Sequence, residues 1–288
     1  MKKLLVTGAS GFLGWNLCQV ARQKWDVYGT TFSHPLDLPE TTAIQIDLRN
    51  FQDLKRLFND LKPAAVIHAA ALSKPNYCQT HPDESHSTNV IVSENIAGLC
   101  ADANIPCAFT STDLVFDGLN PPYQESDRVC PVNLYGEHKV LAEERMRQKY
   151  PRTAICRLPL MFGLPSPTAE SFIQGFMRML EEGKTIRLFT DEYRTSVSAK
   201  TAASGLLLAL EQFEGTLHLG GKERMSRYNF VRLMASVFEL PIDNIQPCLQ
   251  RDVTMSAPRP VDVSLDSSKA FSLGYKPPTT REELEALR

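Results

Sequence analysis

Eight residues near the start of the chain, Thr7-Gly8-Ala9-Ser10-Gly11-Phe12-Leu13-Gly14, limit what the rest can fold into. They follow Leu4-Leu5-Val6-Thr7, an apolar run of the kind that makes a buried strand, and open a helical stretch from Gly11 to Lys24. Glycines at 8, 11 and 14 let the backbone turn tightly and come close to a pyrophosphate, while unpaired amides at the helix start attract its charge. A glycine triplet alone is weak evidence; one between a first strand and its helix sits where a dinucleotide-binding turn requires it. Gly8, Ser10, Gly11, Phe12, Leu13 and Gly14 are therefore expected cofactor contacts. The other outcome is a tight turn that holds no ligand.

Element order extends the case. Asp26 to Thr30 and Ala43 to Asp47 have strand patterns, Phe51 to Leu61 has a helical period that stops before Pro63, and Ala64 to Ala69 is a fourth strand. A helix over 89–104, strands over 106–111 and 153–158, and a helix near 134–150 continue the alternation. Strand–helix alternation argues an α/β fold with a doubly wound parallel sheet, the Rossmann arrangement, whose ligands bind at the carboxyl ends of the strands. Beyond Gly163 the regularity loosens. Residues 1–162 are expected to form the dinucleotide-binding domain and 163–288 a smaller, partly interleaved α/β substrate domain, with some later segments returning to the sheet.

Composition excludes more than it selects. With 31 Lys+Arg against 33 Asp+Glu, a net charge of −2 gives no electrostatic case for nucleic acid or an anionic membrane as partner. No apolar run approaches the ~20 residues that span a bilayer. Seven scattered cysteines without a CxxC pair, and six histidines without metal spacing, point to reduced thiols, no metal and a cytoplasmic protein.

Tyr135-Gly136-Glu137-His138-Lys139 puts a phenol and an ammonium four residues apart, on one helix face. Reduction of a ketone needs a proton donor, and a free phenol titrates near ~10. Lowering that by ~3 units takes ~4 kcal/mol, which one cation at about 4 Å supplies at an effective dielectric of ~20. A hydroxyl beside the phenol would share the charge that develops on the carbonyl. Thr110-Ser111-Thr112-Asp113, at the end of the fifth strand, offers it. Lys74 could meet an anionic substrate or could simply be solvated. His68, on an apolar strand end, reads as a packed core residue.

These motifs resemble the extended branch of the short-chain dehydrogenase/reductases, the superfamily of nucleotide-sugar epimerases and dehydratases. The TGxxGxxG spacing is similar, and Ser111 to Gly118, Pro122 to Glu125 and Pro131 to Lys139 look like dTDP-4-dehydrorhamnose reductases. They look equally like the regulatory β subunit of methionine adenosyltransferase. The resemblance implies that Thr112, Tyr135 and Lys139 are catalytic, with Ser111 the neighbour most easily confused with Thr112. It implies that Ala69, Ala70 and Ala71 line the nicotinamide side, where Asn89 also fits, and that Asp47 and Leu48 meet the adenine. Asp47 is also placed to cap the next helix. In this family an acid ending the second strand selects NAD and a base selects NADP. Thr31-Phe32-Ser33-His34 carries neither acid nor Arg, so NADP(H) is favoured over NAD(H), with Thr31 and Ser33 near the ribose.

The resemblance further assigns Asp113, Arg194 and Arg259 to substrate, the arginines to a diphosphate, although each could be ion-paired or solvated instead. Leu114 stands where these reductases carry Tyr, and Arg157-Leu158-Pro159-Leu160 where they carry an Arg-Thr-Ser-Trp-like string. Leu114 also replaces the Glu that dehydratases need. The implied activity is hydride transfer to a carbonyl, as on a nucleotide-linked 4-keto-sugar. The alternatives are a non-catalytic nucleotide-binding subunit and an epimerase. The expected partners are that small molecule and a second copy of the chain in a homodimer.

Overall fold

Leu4 and Val6 point to one side of the first strand and Leu5 to the other, and all three are fully buried. Such a strand has to be covered on both faces. In the computed structural model, which describes residues 1–34 and 38–288, it is. Seven strands make the central sheet: β1 (Lys2–Thr7), β2 (Trp25–Thr31), β3 (Thr41–Gln45), β4 (Ala65–His68), β5 (Cys107–Thr112), β6 (Ala154–Leu158) and β7 (Gly215–His218). Their spatial order is β7-β6-β5-β4-β1-β2-β3, all parallel. The order reverses between β1 and β4, so a crevice opens at the carboxyl ends of those two strands.

Seven helices of ten or more residues stand among the described residues: α1 (Phe12–Ala21), α2 (Phe51–Leu61), α3 (Val92–Ala103), α4 (Leu134–Lys149), α5 (Phe172–Glu181), α6 (Ala199–Gln212) and α7 (Arg227–Val237). Helices α1 and α6 cover one face of the sheet, packing Leu17, Ala21, Leu206 and Leu210 on Leu4 and Val6. Helices α2, α3 and α4 cover the other, packing Phe58, Ile96 and Met146 on Leu5, Phe109 and Ile155. Local chemistry sets the ends. Asn50 caps α2 by accepting from the amides of Gln52 and Asp53, and the helix closes at Lys62 in the left-handed conformation, just before Pro63.

Some expectations shift. The third strand runs over Thr41–Gln45, two residues earlier than its pattern suggested, which leaves Asp47 in the loop beyond it. The helix expected from Asn89 begins as α3 at Val92, after a wide π turn over Ser87–Ile91. Helix α6 shows no clear period in the sequence, because small residues make up most of its buried stripe and Leu207 and Leu208 lie off it.

Residues beyond 162 divide between two places. Helix α6 and β7 join the central sheet, whereas α5, α7 and the paired strands Ile186–Phe189 and Ile245–Cys248 enclose a separate core around Phe162, Leu188 and Phe230. No helix among the described residues is long and apolar enough to cross a membrane.

Candidate active site

The crevice at the reversal of strand order is a cleft of about 390 Å³. Gly8, Ser10, Gly11, Phe12, Leu13 and Gly14 line it at the start of α1, and Ala69, Ala70 and Ala71 face them. The glycines are obligatory. Gly8 has φ +73°, and a Cβ there would lie 2.7 Å from the Ala70 Cα; one on Gly14 would lie 2.1 Å from the Gly8 carbonyl oxygen. A cradle this close, with a helix N-terminus behind it, fits a pyrophosphate. From the second unit, the hydroxyls of Ser166 and Thr168 both donate to the Ser10 carbonyl, at 3.2 and 2.7 Å.

A buried hydrogen-bond chain fixes the alanine loop against the glycine turn. Ser93 Oγ donates to the Asn89 carbonyl, so it accepts from His68 Nε2 at 3.0 Å. His68 Nδ1 then accepts from the Thr7 hydroxyl at 2.6 Å, and Thr7 Oγ1 accepts from the amides of Ala69 and Ala70. Burial, with the Lys139 charge next, holds His68 down at about 3, and hence neutral. The Asn89 side chain accepts from the Leu72 amide and donates to the Leu72 carbonyl, closing the far end of the loop. His68 is a structural hub and Asn89 a loop clamp.

Tyr135 and Lys139 line the cleft from the first turns of α4, whose start is set by Asn133 accepting from the Gly136 amide at 2.9 Å. Gly136 brings the helix against the end of β5: a Cβ there would lie 2.3 Å from the Leu114 carbonyl oxygen. Lys139 Nζ donates to the Thr110 carbonyl at 2.5 Å and is 1% exposed, and burial pulls it down to about 7. The expectation that Lys139 lowers the phenol's pKa is not met in the protein alone. Burial, helped by Cys78 and Asp113, pushes Tyr135 above its ordinary value, and the Thr112 hydroxyl draws it the other way.

Thr112 ends β5 and does not itself line the cleft. Thr112 also accepts from the Leu114 amide at 3.2 Å, capping a short turn over Asp113–Val115. Ser111, one residue earlier and therefore on the opposite face of the strand, donates to Glu143 on α4. Glu143 in turn forms a two-pronged ion pair with Arg157, at 3.0 and 2.8 Å, both groups being buried. Ser111 lines the cleft and Thr112 does not, but the Ser111 hydroxyl is already spent on Glu143.

At the other end of the cleft stand Thr31, Phe32, Asp47, Leu48 and Arg49. Ser33 is not among the lining residues; it is exposed and paired with His34 at 3.0 Å. Asp47 does not cap α2, since Asn50 does. Its carboxylate takes Nε and Nη2 of Arg49, at 2.9 and 2.8 Å, which keeps Asp47 below the usual carboxylate range. Arg49 was missed at the sequence level. Its signal was the Asp-x-Arg spacing after the third strand, too short to point anywhere until the loop's turn was known.

Lys74 and Arg259, distant in sequence, line one open cavity together with Asn76 and Tyr77, and Ser73 belongs to both this cavity and the main cleft. Asn76 Oδ1 accepts from Arg259 Nη2 at 3.1 Å. Asp113 and Arg194 are not at either surface. Arg194, 6% exposed, lies 2.9 Å from Asp113 and 3.3 Å from Glu192, and Glu192 also takes Arg227 at 2.9 Å. Burial would raise Glu192, but Arg227 and Arg194 hold it at about 2. Arg194 is therefore spent inside a buried ionic chain that steadies the turn after Thr112.

Comparison with known proteins follows the same outline. Residues 1–287 match the family described as the RmlD substrate binding domain. The methionine adenosyltransferase 2 subunit beta of Xenopus laevis is 30% identical over 281 residues, covering 95% of this chain and 83% of that protein. The crystal structure of a hypothetical dTDP-4-dehydrorhamnose reductase from Sulfolobus tokodaii has a TM-score of 0.83 at 29% identity, covering 94% of each chain. The dTDP-4-dehydrorhamnose reductase of Bacillus anthracis, solved in complex with NADP, has a TM-score of 0.86 at 21% identity, with 100% and 99% covered. The last is a likeness of fold.

Proposed function

The chain belongs to the RmlD substrate binding domain family, and we propose that within it this protein is a ketoreductase acting on a nucleotide-linked 4-keto-sugar and preferring NADP(H) to NAD(H). One observation carries this: Tyr135 and Lys139, near the carboxyl end of the strand that Thr112 closes, line a cleft whose other wall is a glycine turn shaped for a pyrophosphate. The glycine turn would hold the cofactor's diphosphate, Ala69–Ala71 its nicotinamide side, and Asp47 and Leu48 its adenosine end. When bound, the cofactor supplies the hydride.

The chain's own groups supply the rest. Tyr135 gives its proton to the substrate oxygen, a role that suits a phenol held neutral by burial. Thr112 orients that oxygen and shares its charge. Lys139 returns positive charge to the site when protonated and is anchored for that by the Thr110 carbonyl. Lys74 and Arg259, facing one cavity next to the cleft, would receive the anionic part of the substrate. The lack of a carboxylate at the end of β2 supports NADP(H). Seven free thiols suit a reducing cytoplasm.

A panel of nucleotide-linked keto-sugars followed at the NADPH absorbance tests this. Turnover is expected with at least one, and Tyr135→Phe should lower it by about 10² or more while sparing cofactor binding. Equal turnover in that variant overturns the assignment. A second reading is a non-catalytic binding subunit, favoured by the 30% identity to the Xenopus protein. It takes over if NADPH binds but no keto-sugar consumes it.

A further inference from the structure

We propose that Arg49 is the residue that tells the two nicotinamide dinucleotides apart, by taking the 2′-phosphate of NADP(H) on the unspent edge of its guanidinium. This rests on reading the cleft as a dinucleotide site. The end of β2, where an adenosine ribose would lie, offers Thr31, Phe32, Ser33 and His34 and no arginine or lysine. The charge missing from that strand is brought by its neighbour. Arg49, from the loop after β3, lines the same stretch of the cleft, with its guanidinium carbon 5.1 Å from the centroid of the Phe32 ring.

Two contacts fix the plane of that guanidinium. Phe32 lies against its face, and Asp47 grips one edge through Nε and Nη2. The other edge, Nη1 with the second hydrogen of Nη2, has no acceptor within hydrogen-bond distance among the described residues; Glu84, at 4.0 Å from Nη1, is the nearest acid. A guanidinium already oriented on one edge loses little freedom when a phosphate takes the other, and a two-pronged Arg–phosphate contact is both strong and selective. Asp47 does not repel the phosphate as a bare carboxylate would, since the fork neutralises it. Glu84 is 40% exposed, so water and salt screen its charge. Without a 2′-phosphate nothing else in this corner depends on the free edge, so NAD(H) should be indifferent to it.

Equilibrium binding of four probes by calorimetry is the test: NADPH and 2′,5′-ADP, NADH and 5′-ADP. In Arg49→Gln the two 2′-phosphorylated probes should bind about tenfold or more weakly, while the other two stay within about threefold. Arg49→Lys, a charge without the fork, should fall between, and a thermal melt of each variant checks that the fold is kept. Equal weakening of all four probes overturns the proposal, because Arg49 would then act only by holding Asp47. So does unchanged binding of all four. If the wild-type protein binds none of them, the dinucleotide reading of the cleft itself fails, and this proposal with it.

Discussion

The ammonium of Lys139 stands 4.1 Å from the centroid of the Phe109 ring. It faces the ring's negative π surface and is shut off from bulk water, being 1% exposed. The ring and the Thr110 carbonyl only partly replace the lost hydration, which is why Lys139 is drawn down to about 7.

The stability cost has a definite sign. Between pH ~7 and the unfolded value near ~10.4, the unfolded chain binds a proton that the folded one does not, so stability rises with pH across that window. Below pH 7 the full cost is present. Lys139→Met should therefore be more stable than wild type at pH 6, by up to about 5 kcal/mol at ~1.4 kcal/mol per unit, with the gain shrinking toward pH 10 and turnover lost. Urea denaturation at pH 6 and 9.5 reads both arms; a variant less stable at pH 6 would contradict the account.

Gly136 sets how closely α4 approaches the turn after β5. Gly136→Ala adds a Cβ 2.3 Å from the Leu114 oxygen and 2.8 Å from the Pro131 Cβ, so the helix has to move away from both. Alanine favours the helix by about 1 kcal/mol, so the protein should still fold. Tyr135, one residue away, moves with the helix, and a displacement of about 1 Å can cost as much as 10² in rate. Steady-state kinetics should show kcat falling with little change in NADPH affinity; wild-type kcat would count against it.

Glu143 and Arg157 form a buried ion pair whose geometry is tied to Ser111 and His218. Removing one partner strands the other's charge and should cost about 3–5 kcal/mol. Replacing both, as Glu143→Leu with Arg157→Met, should cost much less than the sum of the two. A double-mutant cycle by chemical denaturation measures the coupling, and additive single costs would exclude it.

Acid should destabilise the protein well before its carboxylates titrate. His68 and His218 are both held at about 3, mainly by burial, against an ordinary value near 6.5. Below pH ~6.5 the unfolded chain gains protons that the folded one refuses, so stability falls as pH falls, at up to about 1.4 kcal/mol per unit for each histidine. Melting curves from pH 7.5 to 5 should show a steady drop, and His218→Gln should flatten it. A curve flat to pH 5 would show that neither histidine is held neutral.

The parts legible in the sequence share a cause: their meaning is local. The glycine turn is fixed by contacts within Gly8–Gly14 and one neighbouring loop, and Tyr135 and Lys139 by helical spacing. Distinguishing Ser111 from Thr112 needed the partner of each hydroxyl, and Glu143, which takes that of Ser111, lies 32 residues away. Arg194 illustrates what stays hidden. Its partner Asp113, and Arg227, which shares Glu192 with it, come from distant segments, and no pattern in one of them announces that the charge is already spent. Helix α6 was obscured for another reason: its buried stripe is made largely of alanines, while Leu207 and Leu208 carry the apolar run off that stripe.

Strand β7 and helix α6 come from beyond residue 162 yet complete the sheet and one of its two coverings. A chain cut at that point would lose Leu206, Leu210, Leu217 and Leu219 from the core and expose β6 as a raw edge. The nucleotide-binding half is thus not a module that could have been donated, swapped or inherited on its own. Recombination inside this chain would have to respect three-dimensional seams that no single breakpoint in a gene can follow.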